Sequence, residues 1–375
     1  MADVPSNGAV QGPRRRGPGW LTRAAMSPRF HTIIERIPVL RVKSRAEGRA
    51  LFDVVSGFVQ SQALLALVEL RVLHRLAEGA ATAPALAQMT GVPEARLVIL
   101  LQAGAALKLL RCARGQWHLT PRGGAFLTVP GLEAMVRHHD VLYRDLADPV
   151  AFFRGQTQPE LAGFWPYVFG AGGAADPALA ARYSRLMADS QALVAADTLR
   201  LVSLKGVAHL MDVGGGTGAF LRAVAADYPG LRLTLFDLPA VVAGATALPD
   251  LTVHPGSFRD DPLPQGADMI SLIRVLYDHQ DTTVAALLGS ALRALPPGGR
   301  LLISEPMSGG AKPDPATDIY FAVYTLAMQT GRTRSAAEIS ALLAAAGFAE
   351  IRSLPGPRPY VTSAITAQKS ANKGA

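Results

Sequence analysis

The chain has 375 residues, 49% hydrophobic and 18% charged, which is apolar material for more than one core. Its single cysteine, Cys112, excludes an internal disulfide framework and a Cys cluster for zinc, so no metal site is expected. The net charge is +8, but residues 1–45 hold nine basic residues against two acidic ones. The remainder is nearly neutral and offers no continuous basic face to nucleic acid, so none is expected as a partner.

Residues 1–46 are basic and rich in Gly and Pro (QGPRRRGPGW), and read as a solvated, irregular tail. Trp20, Leu21 and Phe30 within it suit a second reading, attraction to an anionic lipid surface. No apolar h-region is present, so no signal peptide is expected. A cytoplasmic protein fits, with peripheral contact at the inner face of a membrane as the extension of the lipid reading. No stretch approaches the roughly 20 apolar residues of a membrane span. The longest candidate, LVILLQAGAALKLL, carries Gln102 and Lys108 and reads as a packed helix.

A helical domain is expected over 47–140. RALFDVVSGFVQSQALLALVELRVLHRLAEG keeps apolar residues at three- and four-residue spacing. The next segment, from Thr82 to Thr120, reads as helix, turn, helix and two short strands around Arg114-Gly115, a winged-helix outline. Its second helix carries only Glu94 and Arg96 near the start, too few groups to read bases and phosphates. A structural or dimerisation role is the better expectation. Residues 141–200 read as connecting helices with an aromatic patch, GFWPYVFG. Over 201–370 the apolar runs HLMDV, LRLTLF, MISLI and RLLIS alternate with helices, which predicts an α/β domain with parallel strands and crossover helices. Ser335 and Glu338 form a capping box for a late helix.

The strongest local signal is LMDVGGGTGAF, with Gly214, Gly216 and Gly218 between a strand and a helix. Glycines there let a backbone come close to a ligand. Asp237 ends the next strand, in LFDLP, where a carboxylate suits a ribose diol. NAD is a rival ligand, since G-x-G-x-x-A runs through Gly214, Gly216 and Ala219. Asp212 argues against it: an acid in the first turn repels a pyrophosphate and suits a ligand with a positive amino acid moiety, such as S-adenosylmethionine. Its plainer role is as a partner of the helix N-terminus.

Taken with SQALLALVELRVLHRLAEG, YSRLMADS, GSF and EPM, these motifs resemble the small-molecule O-methyltransferase family typified by the plant phenol and acetylserotonin enzymes. The forms RVLYDHQD, EPMSGG and AMQTGRTRS are similar to the bacterial carotenoid branch that methylates a tertiary hydroxyl, of the hydroxyneurosporene and demethylspheroidene type. The resemblance spans about 47 to 368. It implies a helical, winged-helix-like dimerisation domain, a Rossmann-like class I methyltransferase domain, bound S-adenosyl-L-methionine, a homodimer and a long polyene alcohol as acceptor. It also implies that Gly214, Asp237 and the adjoining Leu238 hold the methionine and ribose parts. Gly256, Ser257 and Phe258 would lie beside the adenine, with Ser257 in place of the usual acid. Arg274 would be near the cofactor, and Met187 and Ser190 over the sulfonium end.

Where the family has a His-Asp-Trp-x-Asp segment, this chain has Tyr277 for the His and His279 for the Trp. One flanking acid is Glu305; the other position is Thr333. If the strand before it continues, Tyr277 and His279 share a face. The expectation is that Tyr277 orients the acceptor hydroxyl, His279 is the base, and Asp278 or Glu305 orients it. The helix DIYFAVYTLAMQ, with Tyr320, Phe321, Tyr324 and Met328, either lines the acceptor channel or is an ordinary core helix. A C-methyltransferase of tetrapyrroles and a non-enzymatic, cofactor-binding winged-helix regulator stand as rival functions.

Overall fold

The computed structural model describes residues 17–164, 190–245 and 247–371. The chain divides into two units, Met1–Ala66 and Leu67–Ala375.

In the first unit, α1 (Trp20–Ala25) and α2 (Pro28–Arg36) precede α3 (Pro38–Glu69), whose last residues belong to the second unit. Much of the segment read as an irregular tail is therefore helical. Pro28 and Pro38 each stand at the first position of a helix, where a missing N–H is no loss. The apolar-span reading also needs correction. By length and composition α3 is long and apolar enough to cross a bilayer, with 11% of its most apolar window buried. Its exposed apolar residues include Leu51, Phe52, Val54, Val55, Phe58 and Val59 in its middle and Val39, Leu40 and Val42 nearer its start.

The second unit opens with α4 (Val72–Glu78) and a small antiparallel sheet of order β1-β3-β2, from β1 (Ala81–Thr82), β2 (Leu110–Ala113) and β3 (Gln116–Leu119). Between β1 and β2 lie α5 (Ala83–Thr90) and α6 (Glu94–Ala106), giving the expected helix–turn–helix with a two-stranded wing. Then follow α7 (Pro121–Thr128), α8 (Leu132–Asp145) and α9 (Pro149–Phe153). Helix α10 is described over 190–201.

The larger sheet has seven strands in the order β6-β5-β4-β7-β8-β10-β9. Strands β4 (His209–Val213), β5 (Arg232–Asp237), β6 (Leu251–Pro255), β7 (Met269–Ile273) and β8 (Arg300–Glu305) run parallel. The last strand, β10 (Ser363–Lys369), is antiparallel to both β8 and β9 (Phe348–Leu354). Strands β4, β5, β7 and β8 are buried on both faces, which explains their apolar runs, whereas β6 at the sheet edge is largely exposed. Along β4, Leu210 joins the core layer containing Phe220 and Val224 of α11 (Ala219–Asp227). Met211 joins the opposite layer, with Leu287 and Leu288 of α13 (Asp281–Ala294) and Leu343 of α15 (Ala336–Ala346). Each such side chain, fully buried, contributes roughly 1.5–3 kcal/mol. Ser335 and Glu338 form the expected reciprocal cap of α15. The strand order reverses between β4 and β7, and a crevice at such a switch point is where open α/β sheets hold ligands.

Candidate active site

The glycine loop leaves β4 at this switch point. Gly214, Gly216 and Gly218 have φ of +70°, +62° and +83°, a region that side chains with a Cβ rarely adopt. A Cβ on Gly214 would also press on Val275 at 2.9 Å, whereas Gly216 has open space around it. The Gly216 N–H donates to Asp237 Oδ2 at 2.7 Å, and the Leu238 N–H to Asp237 Oδ1 at 2.7 Å. Burial raises the Asp237 carboxyl to about 6 despite these bonds. The Gly256 N–H donates to the Asp237 carbonyl at 2.9 Å. The structure thus brings Gly214, Gly216, Asp237, Leu238 and Gly256 to one edge of the sheet, as an open backbone cradle with a carboxylate on its rim.

Ser257 does not leave its surroundings without an acid. Its hydroxyl donates to Asp260 at 2.8 Å and its N–H to Asp261 at 2.8 Å, so the acids arrive from the following turn. Sequence register alone hides this. Asp212 differs from expectation. It is fully buried beneath Gly215, where a Cβ would lie 2.5 Å from its Oδ2, and so it meets no ligand surface directly. Oδ1 accepts from Ser271 at 2.6 Å and Oδ2 has no partner. Burial, opposed by the Ser271 bond and reinforced by the Asp237 charge, raises this carboxyl to about 7.

Arg274 follows β7 with φ of +59°, and its guanidinium donates to Ser190 Oγ at 2.8 Å and to the Tyr277 hydroxyl at 3.1 Å. Met187 lies outside the described residues. The chain does not continue as a strand: 276–278 is a tight helical turn. Tyr277 and His279 therefore do not share a face, contrary to expectation. The Tyr277 ring meets Phe321 edge-on at 6.4 Å. His279 instead packs edge-on against Phe258 at 5.2 Å, and its Nδ1 accepts from Arg259 at 3.1 Å. Burial and the charges of Arg259 and Arg334 lower His279 to about 3. With Nδ1 engaged, the neutral ring keeps its proton on Nε2 and has no free acceptor, so the geometry does not suit the base role. Burial raises the Tyr277 phenol above its ordinary range.

The turn itself is held through main-chain atoms. Glu305, fully buried at the end of β8, accepts from the N–H groups of Leu276 and Tyr277 at 3.0 and 3.2 Å. Its Oε1 has no partner, and burial raises it to about 7. Arg334, also fully buried, donates to the Leu276 and His279 carbonyls at 2.8 and 2.7 Å and pairs with Asp281 at 2.6 Å. A Cβ on Gly331 would collide with the Tyr277 carbonyl. Arg334 and Gly331 are supports of this turn that the sequence reading missed; a Gly-Arg-Thr-Arg run is their only local sign. Asp278 is buried with Oδ1 unpartnered, and burial raises it well above the carboxylate range.

The aromatic helix divides. Tyr320 and Phe321 end a wide turn, Pro315–Phe321, and are partly exposed, with their rings 5.0 Å apart. Tyr324 and Met328 are buried in a core cluster with Val141, Phe152 and Leu161, so for these two the ordinary core reading holds. Two histidines of α8 meet the tyrosines: His138 Nε2 lies 2.8 Å from the Tyr324 hydroxyl and His139 Nε2 2.7 Å from the Tyr320 hydroxyl.

A family profile described as the O-methyltransferase domain matches residues 143–349, and one described as the O-methyltransferase dimerisation domain matches 52–129. The demethylspheroidene O-methyltransferase of Rhodobacter capsulatus is 62% identical over 351 residues, covering 93% of this chain and 89% of that protein. That of Cereibacter sphaeroides is 61% identical over 373 residues, covering 96% and 98%. Among solved structures, human N-acetylserotonin methyltransferase in complex with SAM superimposes with a TM-score of 0.72 at 26% identity, covering 87% of this chain and 98% of that one. CalO1, a methyltransferase of calicheamicin biosynthesis in its SAH-bound form, gives 0.73 at 26% identity with the same coverage.

Proposed function

This chain belongs to the O-methyltransferase family and is an S-adenosylmethionine-dependent methyltransferase with a dimerisation domain, and on that premise we propose that it methylates a tertiary hydroxyl of an acyclic carotenoid alcohol. The observation that carries the acceptor class is the identity of 62% and 61%, over nearly the full length, with two demethylspheroidene O-methyltransferases. Neither tetrapyrrole C-methylation nor a non-enzymatic regulator has such support.

The residues present fit the cofactor. Gly216 leaves open space for close approach, and Asp237 offers its carboxylate to a ribose diol. Gly256, Ser257 and Phe258 would flank its adenine, and Arg274 with Ser190 would close over its methionine part. When bound, S-adenosylmethionine supplies a sulfonium methyl that carries its own driving force. The protein's task is then alignment and disposal of a proton. Tyr277, fixed by Arg274, orients the acceptor hydroxyl; Phe321 and Tyr320 line the approach of the polyene. Asp278 and Glu305 tune the field around Arg274 from below.

The exposed apolar residues Phe52, Val54, Val55, Phe58 and Val59 of α3 fall within the matched dimerisation segment and form the homodimer face. Around α1 and α2, exposed Trp20, Leu21 and Ile33 lie among Arg23, Arg29 and Arg36, which suits peripheral contact with an anionic membrane on the cytoplasmic side.

The test is turnover with labelled S-adenosylmethionine and a panel of a hydroxylated acyclic carotenoid, a tetrapyrrole and a phenol. Label in the carotenoid alone supports the reading; label only in another acceptor overturns it.

A further inference from the structure

The reaction needs somewhere for a proton to go, and the turn at 276–279 offers poor acceptors. The Tyr277 oxygen already accepts from a guanidinium, and His279 spends its acceptor nitrogen on Arg259. Glu305 binds the turn's own backbone and Asp278 is buried within the turn, so neither carboxyl opens onto solvent.

A second hydroxyl converges on the same place. Tyr320 adjoins Phe321, whose ring abuts Tyr277. Burial raises the Tyr320 phenol as it raises that of Tyr277, and the Arg274 charge opposes the rise in both. Behind Tyr320 stands His139, 2.7 Å away, on a different element with its ring against the Tyr320 ring at 5.3 Å. Burial lowers the His139 pKa, so its imidazole is neutral near pH 7 and Nε2 can accept.

We infer that the Tyr320 hydroxyl and the His139 imidazole form the proton exit of the methyl transfer, with Tyr320 touching the acceptor hydroxyl and His139 acting through it. This rests on the proposed carotenoid alcohol as acceptor. A tertiary alcohol is too weak an acid to ionise beforehand, so the proton leaves as the new bond forms. The acceptor oxygen bonds to the methyl carbon while the sulfur–carbon bond breaks and its electron pair goes to sulfur. The hydroxyl proton passes to the Tyr320 oxygen as the Tyr320 proton passes to His139 Nε2. The imidazolium gives its proton to solvent after the product leaves, so no further reactant is needed. The neighbouring pair, His138 and Tyr324, has the same chemistry but sits in the core cluster, out of reach of the acceptor.

The test is single-turnover methyl transfer to the carotenoid alcohol by the full-length protein and by Tyr320→Phe, His139→Gln and the double variant. Glutamine accepts a hydrogen bond from Tyr320 and holds it in place, but takes no proton. A purely structural His139 therefore tolerates the change, whereas a proton acceptor does not. A general base is typically worth 10²–10⁴-fold, so each single variant should lose at least tenfold in rate. Affinity for S-adenosylhomocysteine and the unfolding midpoint should stay at parent values in both, and affinity for the carotenoid alcohol should stay so in His139→Gln. The double variant should be no slower than the slower single one, because the two groups act as one unit. Parent-like rates in His139→Gln, or losses that multiply in the double variant, overturn the relay while the functional reading stands. No turnover of the carotenoid alcohol by the parent overturns both.

Discussion

Replacing Asp212 by Asn should reverse the sign of a stability difference across the neutral pH range. In the folded protein this carboxyl is raised from 3.8 to about 7, chiefly by burial. A carboxyl raised in this way favours folding below its unfolded pKa, and that advantage is lost as pH rises from about 4 to about 7. At 1.36 kcal/mol per pKa unit, the charged form costs the parent on the order of 4 kcal/mol at pH 8. Asparagine carries no charge and keeps an oxygen for Ser271, but it places an NH₂ group where Oδ2 has no partner. A buried unsatisfied donor costs about 2 kcal/mol at every pH. The variant should therefore be about 2 kcal/mol less stable than the parent below pH 4, equal to it near pH 5–6, and about 2 kcal/mol more stable at pH 8. Urea unfolding of both proteins from pH 4 to 8, without cofactor, reads this directly. The raised carboxyls of Asp237, Asp278 and Glu305 are common to both and cancel to first order. A stability difference that does not vary with pH would refute the reasoning.

Asp237→Asn should weaken S-adenosylhomocysteine binding by about 10–100-fold in calorimetry, since hydrogen bonds to a charged group contribute roughly 1.5–3 kcal/mol. Unchanged affinity removes Asp237 from the ribose. Arg334→Met leaves the Leu276 and His279 carbonyls buried without donors and should cost about 2–4 kcal/mol in urea unfolding. Asp281 adds little to that loss, because it is half-exposed and keeps Arg332. A loss below 1 kcal/mol would mean that the turn is held by other contacts. Removing residues 1–36 should lower co-sedimentation with phosphatidylserine-rich vesicles while leaving S-adenosylhomocysteine affinity intact, because each basic residue near such a surface is worth about 1 kcal/mol. Equal sedimentation with and without the segment rules out the lipid contact.

The parts of this site that are legible in the sequence are those whose chemistry is local. Glycines that need positive φ follow one another, and the acid of LFDLP stands at the end of the strand next to theirs, so pattern and place coincide. The alternation of apolar runs and helices likewise reports a buried parallel sheet directly. What misleads is extrapolation across a bend. The same-face reading of Tyr277 and His279 assumes that β7 continues, yet Arg274 turns the chain with a left-handed backbone. What stays hidden is action at long range. Arg334 serves carbonyls 58 and 55 residues earlier, and His139 meets a tyrosine 181 residues later. His139 leaves no mark in its own neighbourhood, and Arg334 only the Gly-Arg-Thr-Arg run around it. Asp212 is read as facing a ligand, but its depth beneath Gly215 depends on how β4, β5 and β7 stack.

The turn from Leu276 to His279 is gripped by its backbone: Glu305 takes two of its N–H groups, Arg334 takes two of its carbonyls, and Gly331 lies against a third contact at Tyr277. A socket of this kind is indifferent to the side chain it presents. A substitution at position 277 therefore leaves the main-chain grip on the turn in place. Glu305 and Arg334 have no such freedom, because altering either re-aims every side chain on the turn at once.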